Sequence, residues 1–291
     1  MRIFLLSLLF AFSLQAHAAK KTEIVFGFNP AENADTIETN GKKLSEYFQK
    51  KTGYTVKTFV ATDYTALVEA LRSGKIDFAF IPAFSYVKAE EIAGAQVLLK
   101  AVRHGKAFLY SAIIVRSDKG YNKIEDLKGK NIAWVDPSST SGHIIPKASL
   151  ITKKHIDADT FFHRQIFAGA HDALVLAVLN GTVDAGATFV NDQEGKDGSW
   201  HLFLKNPADQ KKIKMIFVSD GIPSDTFATT KKLLKEEPEL VKKTVATLTE
   251  MHKNPEGKQI LDVLYKIDSM VPANAKEYEP VRQAAKVLHL N

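Results

Sequence analysis

The chain has no cysteine in 291 residues. That excludes a disulfide scaffold, a thiolate nucleophile, cysteine-ligated metal and lipid attached at a cysteine. Beyond the N-terminal segment, no apolar run approaches the ~20 residues that a membrane-spanning helix needs. Neither charge dominates: 39 Lys and Arg stand against 33 Asp and Glu, a formal net charge of +6. The basic residues are scattered in pairs such as Lys42-Lys43, Lys50-Lys51 and Lys242-Lys243. These read as solvated helix faces, so no nucleic-acid partner is expected. Catalytic signatures are missing as well: there is no G-x-S-x-G elbow, Walker A loop, dinucleotide fingerprint or H-E-x-x-H. The histidines are unpaired in spacing, so neither a metal nor a cofactor is expected, and the chain does not read as an enzyme. The remaining hydrolase option would combine a serine with His171 and an Asp such as Asp184.

What is present begins with a leader. One charge, Arg2, precedes the apolar run Ile3 to Leu14 and then Ala16-His17-Ala18. A basic start, a short apolar core and an A-x-A site describe a cleavable secretory signal over residues 1–18. With no cysteine to carry lipid, the mature chain is expected to be a periplasmic monomer and not a lipoprotein. The remaining ~270 residues suit two domains. With 45% hydrophobic residues, core burial can supply the stability that disulfides do not.

The most distinctive stretch is Asp136-Pro137-Ser138-Ser139-Thr140-Ser141-Gly142-His143, between a strand-like segment (Asn131 to Val135) and a helix-like one (Ile144 to Lys154). Hydroxyls clustered at a helix start sit beside unpaired backbone N–H groups and the positive end of the helix dipole. That is an anion cradle that needs no Lys or Arg.

A repeat gives the cradle its setting. Residues 63–77 and 170–184 share one pattern: Ala66-Leu67-Val68 answers Ala173-Leu174-Val175, Gly74 answers Gly181, and Asp77 answers Asp184. The displacement is 107, and it also carries Pro30 onto Pro137, Tyr64 onto His171, and the helix Leu44–Lys50 onto Ile151–Asp157. An ungapped repeat of this length points to repeated structural units. Each unit alternates strand and helix, which implies an α/β fold of two βαβ-type lobes. Right-handed crossovers gather the strand-to-helix loops at one end of each sheet. Those loops are Asn29–Ala34 and Ala61–Tyr64 in one lobe, Asp136–Ser141 and Gly169–His171 in the other. Two such ends facing each other form a ligand cleft. Lobe one is expected over 19–108 and lobe two over 109–218, with Phe108 to Val115 as the first crossing. Residues 219–291 would cross back and complete lobe one with helices, continuous from Lys231 onward. Two crossings make a hinge.

On these residues the chain resembles the periplasmic phosphonate/phosphite/phosphate-binding proteins of ABC importers. The resemblance runs from Phe26-Gly27-Phe28-Asn29-Pro30 to about Leu234. It is carried best by Ser139-Thr140-Ser141-Gly142, Gly169-Ala170-His171-Asp172-Ala173 and Ile222-Pro223-Ser224-Asp225. It implies a type II periplasmic binding protein, a phosphorus oxyanion held between the lobes, and delivery to an ABC permease in the inner membrane. A sensor histidine kinase is the alternative partner. Carried over, Ser139, Thr140 and Ser141 would hold the anion's oxygens, Tyr64 would donate its phenol from the opposite lobe, and His171 would donate a ring N–H. Asp225 would be a carboxylate beside the anion, selecting ligands that bring a proton or an ammonium and rejecting sulfate. Family members that bind aminophosphonates tend to carry an aromatic or polar residue near Ile81 and an acid near Asn191. Here Ile81 is apolar and the acid, Asp192, stands one place away. A small ligand without an amino group is therefore implied: phosphite, phosphate or a short alkylphosphonate.

Overall fold

The computed structural model describes residues 21–290. The expected leader, residues 1–18, lies outside the described residues. The chain opens with β1 (Glu23–Phe28), α1 (Ala34–Thr52), β2 (Thr55–Val60), α2 (Tyr64–Arg72) and β3 (Phe78–Ile81). After α3 (Ala83–Ala93) and β4 (Ala95–Val102) it passes into a second sheet through β5 (Phe108–Arg116). There follow β6 (Asn131–Trp134), α4 (Ile145–Lys154), α5 (Ala158–Phe161), β7 (Arg164–Phe167), α6 (His171–Leu179) and β8 (Ala185–Val190). Short helices α7 (Ser199–Phe203) and α8 (Pro207–Gln210) lead to β9 (Ile213–Val218) and β10 (Ile222–Pro223). The chain returns as β11 (Thr226–Thr230) and finishes with α9 (Lys231–Glu236), α10 (Pro238–Glu250), α11 (Pro255–Val263), β12 (Ser269–Pro272) and α12 (Glu279–Val287).

The first sheet has the order β12-β4-β11-β3-β1-β2; the second runs β10-β5-β8-β6-β7, with β9 also on β5. Within each, the repeated strands are parallel and the strands added at the crossings are antiparallel. This is the two-lobed type II arrangement. Residues from Lys231 onward are not continuously helical as expected, because β12 interrupts them and closes an edge of the first sheet. The return crossing also enters the middle of that sheet as β11. Phe227 is fully buried there and stacks on Phe78 at 5.2 Å. Thr226 and Thr229 donate their hydroxyls to the carbonyls of Ile81 and Asp77. Five residues flanked by a turn and a lysine-rich helix carry too short a pattern to announce a central strand.

The repeat holds in its helices. α2 and α6 start on Tyr64 and His171 and span nine residues each, and Gly74 and Gly181 follow in the left-handed conformation at φ 74° and 72°. It is not ungapped, however. Phe26 lies opposite Phe78 in the first sheet, whereas Ile132, and not Ala133, lies opposite Ala185 in the second. β6 therefore runs one residue ahead of the 107 displacement, and so does the cap after it, Ser139 answering Asn33, so the two loops are equally long. The extra residue lies in the first turn beyond the cap, where Ile144 reaches back five residues to Ser139 and Ile37 only four to Asn33. That turn belongs to the cradle. The long helices also differ: α4 stops at Lys154, where His155 turns left-handed (φ 56°), short of the expected Asp157.

Both lobes have packed aromatic cores behind the loops. Phe26 packs edge-on against Phe48, Phe78 and Phe227 at 5.0, 5.7 and 5.6 Å, an aromatic core for lobe one. Trp134 anchors lobe two and donates its indole N–H to Gln165 Oε1 at 2.8 Å. The sheet ends that bear the loops are thus fixed, and the loop residues gain defined positions from them.

Candidate functional site

The cradle is built locally. Asp136 accepts the Ser138 N–H at 2.7 Å and Ser139 Oγ caps the Gly142 N–H at 3.1 Å. The first turn is wide: the Ile144 N–H reaches back five residues to the Ser139 carbonyl at 3.0 Å. The backbone N–H groups of Thr140 and Ser141 have no acceptor among the described residues, as expected of a helix start. Gly142 is required by space, because a Cβ there would meet Val135 at 2.5 Å. Thr140 Oγ1 accepts the Phe84 N–H from the other lobe at 2.8 Å. Ser139 and Thr140 thus use their hydroxyl oxygens as acceptors inside the protein, which leaves their hydroxyl protons to be donated outward.

The facing wall comes from lobe one. Tyr64 is 1% exposed and joins the buried cluster of lobe-two residues around Val135 and Leu174. Among the described residues, its hydroxyl and the Asn29 Oδ1 are buried without a hydrogen-bond partner. Burial pushes the Tyr64 phenol well above its ordinary value, Asn29 and Ser139 oppose that shift, and Asp136 and Asp225 add to it, so Tyr64 stays a neutral donor. The lobes touch across the cleft: the His171 N–H donates to the Ala31 carbonyl at 3.0 Å and Ser85 Oγ to the Ser138 carbonyl at 3.2 Å.

His171 differs from its expected role. Its Nδ1 lies 2.8 Å from Thr188 Oγ1, and the Thr188 hydroxyl donates to Ser199 Oγ at 2.8 Å. Nδ1 therefore carries the N–H, and Nε2 holds a lone pair. Burial pulls the ring down to about 3, so it is neutral at physiological pH, and Nε2 offers a lone pair where a ring N–H donor had been expected. Asp225 is not an unmatched carboxylate either. Arg103 donates to its Oδ2 at 3.0 Å, and the same guanidinium donates to Ser224 Oγ and the Tyr265 carbonyl. The negative charge beside the site is balanced by a cation that sequence reasoning missed.

Tyr64, Ser139, Thr140, Ser141, His171, Asp225 and Asn191 all line one cavity of about 250 Å³ between the lobes. Ile81 does not; it lines a small adjoining cavity of about 30 Å³ beneath Asp225. Asp192 is occupied by its own loop, accepting the Lys196 and Asp197 N–H groups at 3.0 and 2.6 Å. The acid near Asn191 is Asp197, held by Asn191 Nδ2 at 3.0 Å and His104 Nε2 at 2.9 Å. Asn29, Arg103, Asp197 and Tyr265 also line the cavity and were missed. Only Asn29 carried a signal, its place in a predicted cleft loop. The hydrolase triad is not assembled: Asp184 accepts from the Tyr121 hydroxyl and the Asn131 N–H, and His171 faces Thr188.

Residues 26–278 match the family model of the periplasmic substrate-binding proteins of phosphonate ABC transporters. The chain is 33% identical over 225 residues to the phosphate-import protein PhnD of Mycolicibacterium smegmatis, covering 74% of this chain and 67% of that one. It is 30% identical over 279 residues to the phosphonates-binding periplasmic protein of Escherichia coli, covering 93% and 78%. In fold it is similar to PhnD1 of Prochlorococcus marinus, solved in complex with methylphosphonate, with a TM-score of 0.81 at 21% identity over 94% of this chain and 100% of that one. A cradle of hydroxyls and free amides between two lobes, and a family match over most of the chain, lead to one assignment: this chain belongs to the periplasmic phosphonate substrate-binding proteins of ABC transporters.

Proposed function

We propose that the protein captures a phosphorus oxyanion in the cleft and delivers it to an ABC permease in the inner membrane. One observation carries this reading. The free Thr140 and Ser141 amides, the cradle hydroxyls and the unpartnered Tyr64 phenol converge on one buried cavity. Buried donors without acceptors are costly, and an oxyanion supplies the acceptors. Ser139, Thr140 and Ser141 hold the oxygens from lobe two, and Tyr64 closes on them from lobe one. His171 Nε2 and Asn29 Oδ1 are acceptors, which suits a ligand that keeps a proton, such as hydrogenphosphate or a phosphonate monoanion. Sulfate keeps none near neutral pH. Asp225, balanced by Arg103, bounds the site and adds little net charge to it.

In this reading lobe one comprises 19–108 and 219–291, lobe two comprises 109–218, and the two crossings are the hinge. The protein acts as a periplasmic monomer after loss of residues 1–18 and performs no chemistry on its ligand. The family assignment favours a permease over a sensor kinase as partner. The test is thermal shift and calorimetry on the mature chain with phosphite, phosphate, methylphosphonate and sulfate. A ligand at 100 times its Kd adds about 2.7 kcal/mol of stability, which is readily seen. At least one phosphorus ligand should stabilise and sulfate should not. Silence from all three phosphorus ligands sinks the reading, and equal stabilisation by sulfate sinks the role given to His171 and Asn29.

A further inference from the structure

We infer that the bound phosphonate carries an apolar organic substituent, and that a flat aromatic one fits best; this rests on the phosphorus-oxyanion reading above. The first observation is size. At a water's share of about 30 Å³, the cavity of about 250 Å³ holds roughly eight water-sized groups. A phosphate has only about five heavy atoms, so a bare oxyanion on the cradle leaves room for about three more such groups, filled by water.

The second observation is what that space is lined with. Beyond the cradle the wall is mainly apolar, with Leu109, Phe189, Leu202, Phe203, Ile222 and Pro223, although Glu32, Arg103, His104, His201 and Lys266 also reach it. Water against the apolar part has few polar partners, and an apolar group that displaces it gains the hydrophobic term. The third is direction. His171 meets Phe189 edge-to-face at 5.0 Å, and Phe189 meets Phe203 edge-to-face at 6.3 Å. This ladder runs from the anion end into the apolar wall, and a ring on the phosphorus atom adds to it with the same geometry. Two of the three carboxylates on the wall are matched within the protein, Asp197 by Asn191 Nδ2 and His104 Nε2 and Asp225 by Arg103. In the third, Glu32, burial holds the carboxyl above its ordinary range, against the charges of Lys266 and Lys205.

The experiment is calorimetry on the mature protein with phosphate, methylphosphonate, butylphosphonate, benzylphosphonate and 2-aminoethylphosphonate. Benzylphosphonate should bind at least tenfold more tightly than methylphosphonate, with butylphosphonate between them. Phe203→Leu, which keeps an apolar side chain on the folded scaffold, should lower the benzyl-to-methyl affinity ratio at least threefold. If methylphosphonate binds and the benzyl and butyl ligands bind tenfold more weakly, the inference falls and the oxyanion reading stands. An aminoethyl ligand tighter than both apolar ones, or a ratio untouched by Phe203→Leu, also overturns it. If no phosphorus compound binds, the underlying reading fails and takes this one with it.

Discussion

The helix starts of the two lobes occupy equivalent places and are finished in opposite ways. In lobe one, Asn33 caps α1 by accepting the Thr36 N–H at 3.1 Å, and Asp35 sits in the first turn. The positive end of that helix faces the protein's own carboxylate. In lobe two, Ser139 caps the start, no acid follows in the first turn, and that turn is one residue wider, Ile144 reaching back to Ser139 where Ile37 reaches back to Asn33. That end offers free amides and outward hydroxyls. The helices that begin at Tyr64 and His171 diverge in another way: Asp63 caps α2 with its side chain and no acid follows, whereas Ala170 cannot cap α6 and Asp172 stands in its first turn. Duplication therefore provides two matching frames. Only one of them joins free amides to clustered hydroxyls at its long-helix start, with an extra residue in the first turn and no acid there.

The strongest way to break this contrast is to give lobe two the finish of lobe one. Ser141→Asp places a carboxylate in the cradle's first turn. Like charges brought together in a buried site cost several kcal/mol, so affinity for phosphate or methylphosphonate should fall more than about a hundredfold. Calorimetry showing a loss below tenfold would move the anion away from the cradle.

The contrast extends to acid stability. The position of exposed Thr36 in α1 is taken in the cradle by His143, which is buried and held to the Pro137 carbonyl through Nδ1 at 2.9 Å. Burial pulls its pKa down to about 4, with the Pro137 bond opposing and Lys147 assisting. An unfolded histidine takes a proton near 6.5, which the folded one refuses until about pH 4. Stability should therefore be full above about pH 6.5 and fall as pH drops toward 4, by on the order of 3 kcal/mol. His171 adds a loss of the same sign that continues to about pH 3. His143→Asn keeps the donor and removes the titration, so urea unfolding at pH 7.5 and 4.5 should show a smaller difference in the variant. An identical difference would mean that His143 titrates normally.

Tyr64→Phe sharpens the comparison from the lobe-one side. Binding should weaken by about 1.5–3 kcal/mol, the range for a hydrogen bond to a charged group. The free protein should be no less stable, because the hydroxyl has no partner to lose. If folding stability drops by a comparable amount instead, the phenol serves the fold and not the ligand.

The smallest effect is expected at Asp225, whose side chain is 41% exposed and paired with Arg103. Asp225→Asn leaves the guanidinium unbalanced beside the site. Affinity for divalent anions, sulfate included, should rise by less than about 1 kcal/mol, in keeping with a partly exposed ion pair. A large loss of phosphonate binding would instead make Asp225 a direct partner of the ligand.

Much of this was legible before any coordinates. The 107-residue displacement placed α2 and α6 to the residue, because both carry the same apolar face and glycine stop. The Ser139-Thr140-Ser141 run announced a helix start with clustered hydroxyls and free amides, because capping chemistry is local. Legibility ended where partners come from afar. The displacement could not show that β6 had slipped by one residue, since that is a fact of pairing across the sheet. It could not show β11, whose five residues become a central strand only because β3 and β4 leave a gap for them.

The amino-acid sequence by itself determined the two-lobe α/β architecture, the position of the cradle, and the pairing of Tyr64 with His171 at opposite helix starts. Each of these rests on periodicity and capping within a few turns of chain, and needs no distant neighbour. Tertiary structure alone decided the charge and protonation of the site. Arg103 neutralises Asp225 across 122 residues, Thr188 and Ser199 set the tautomer of His171, and Asp197 supplies an acid beside Asn191 where none had been expected. The physical reason is that burial and the nearest polar atom set a group's ionisation and donor sense, and both are properties of the packed interior rather than of the order of residues along the chain.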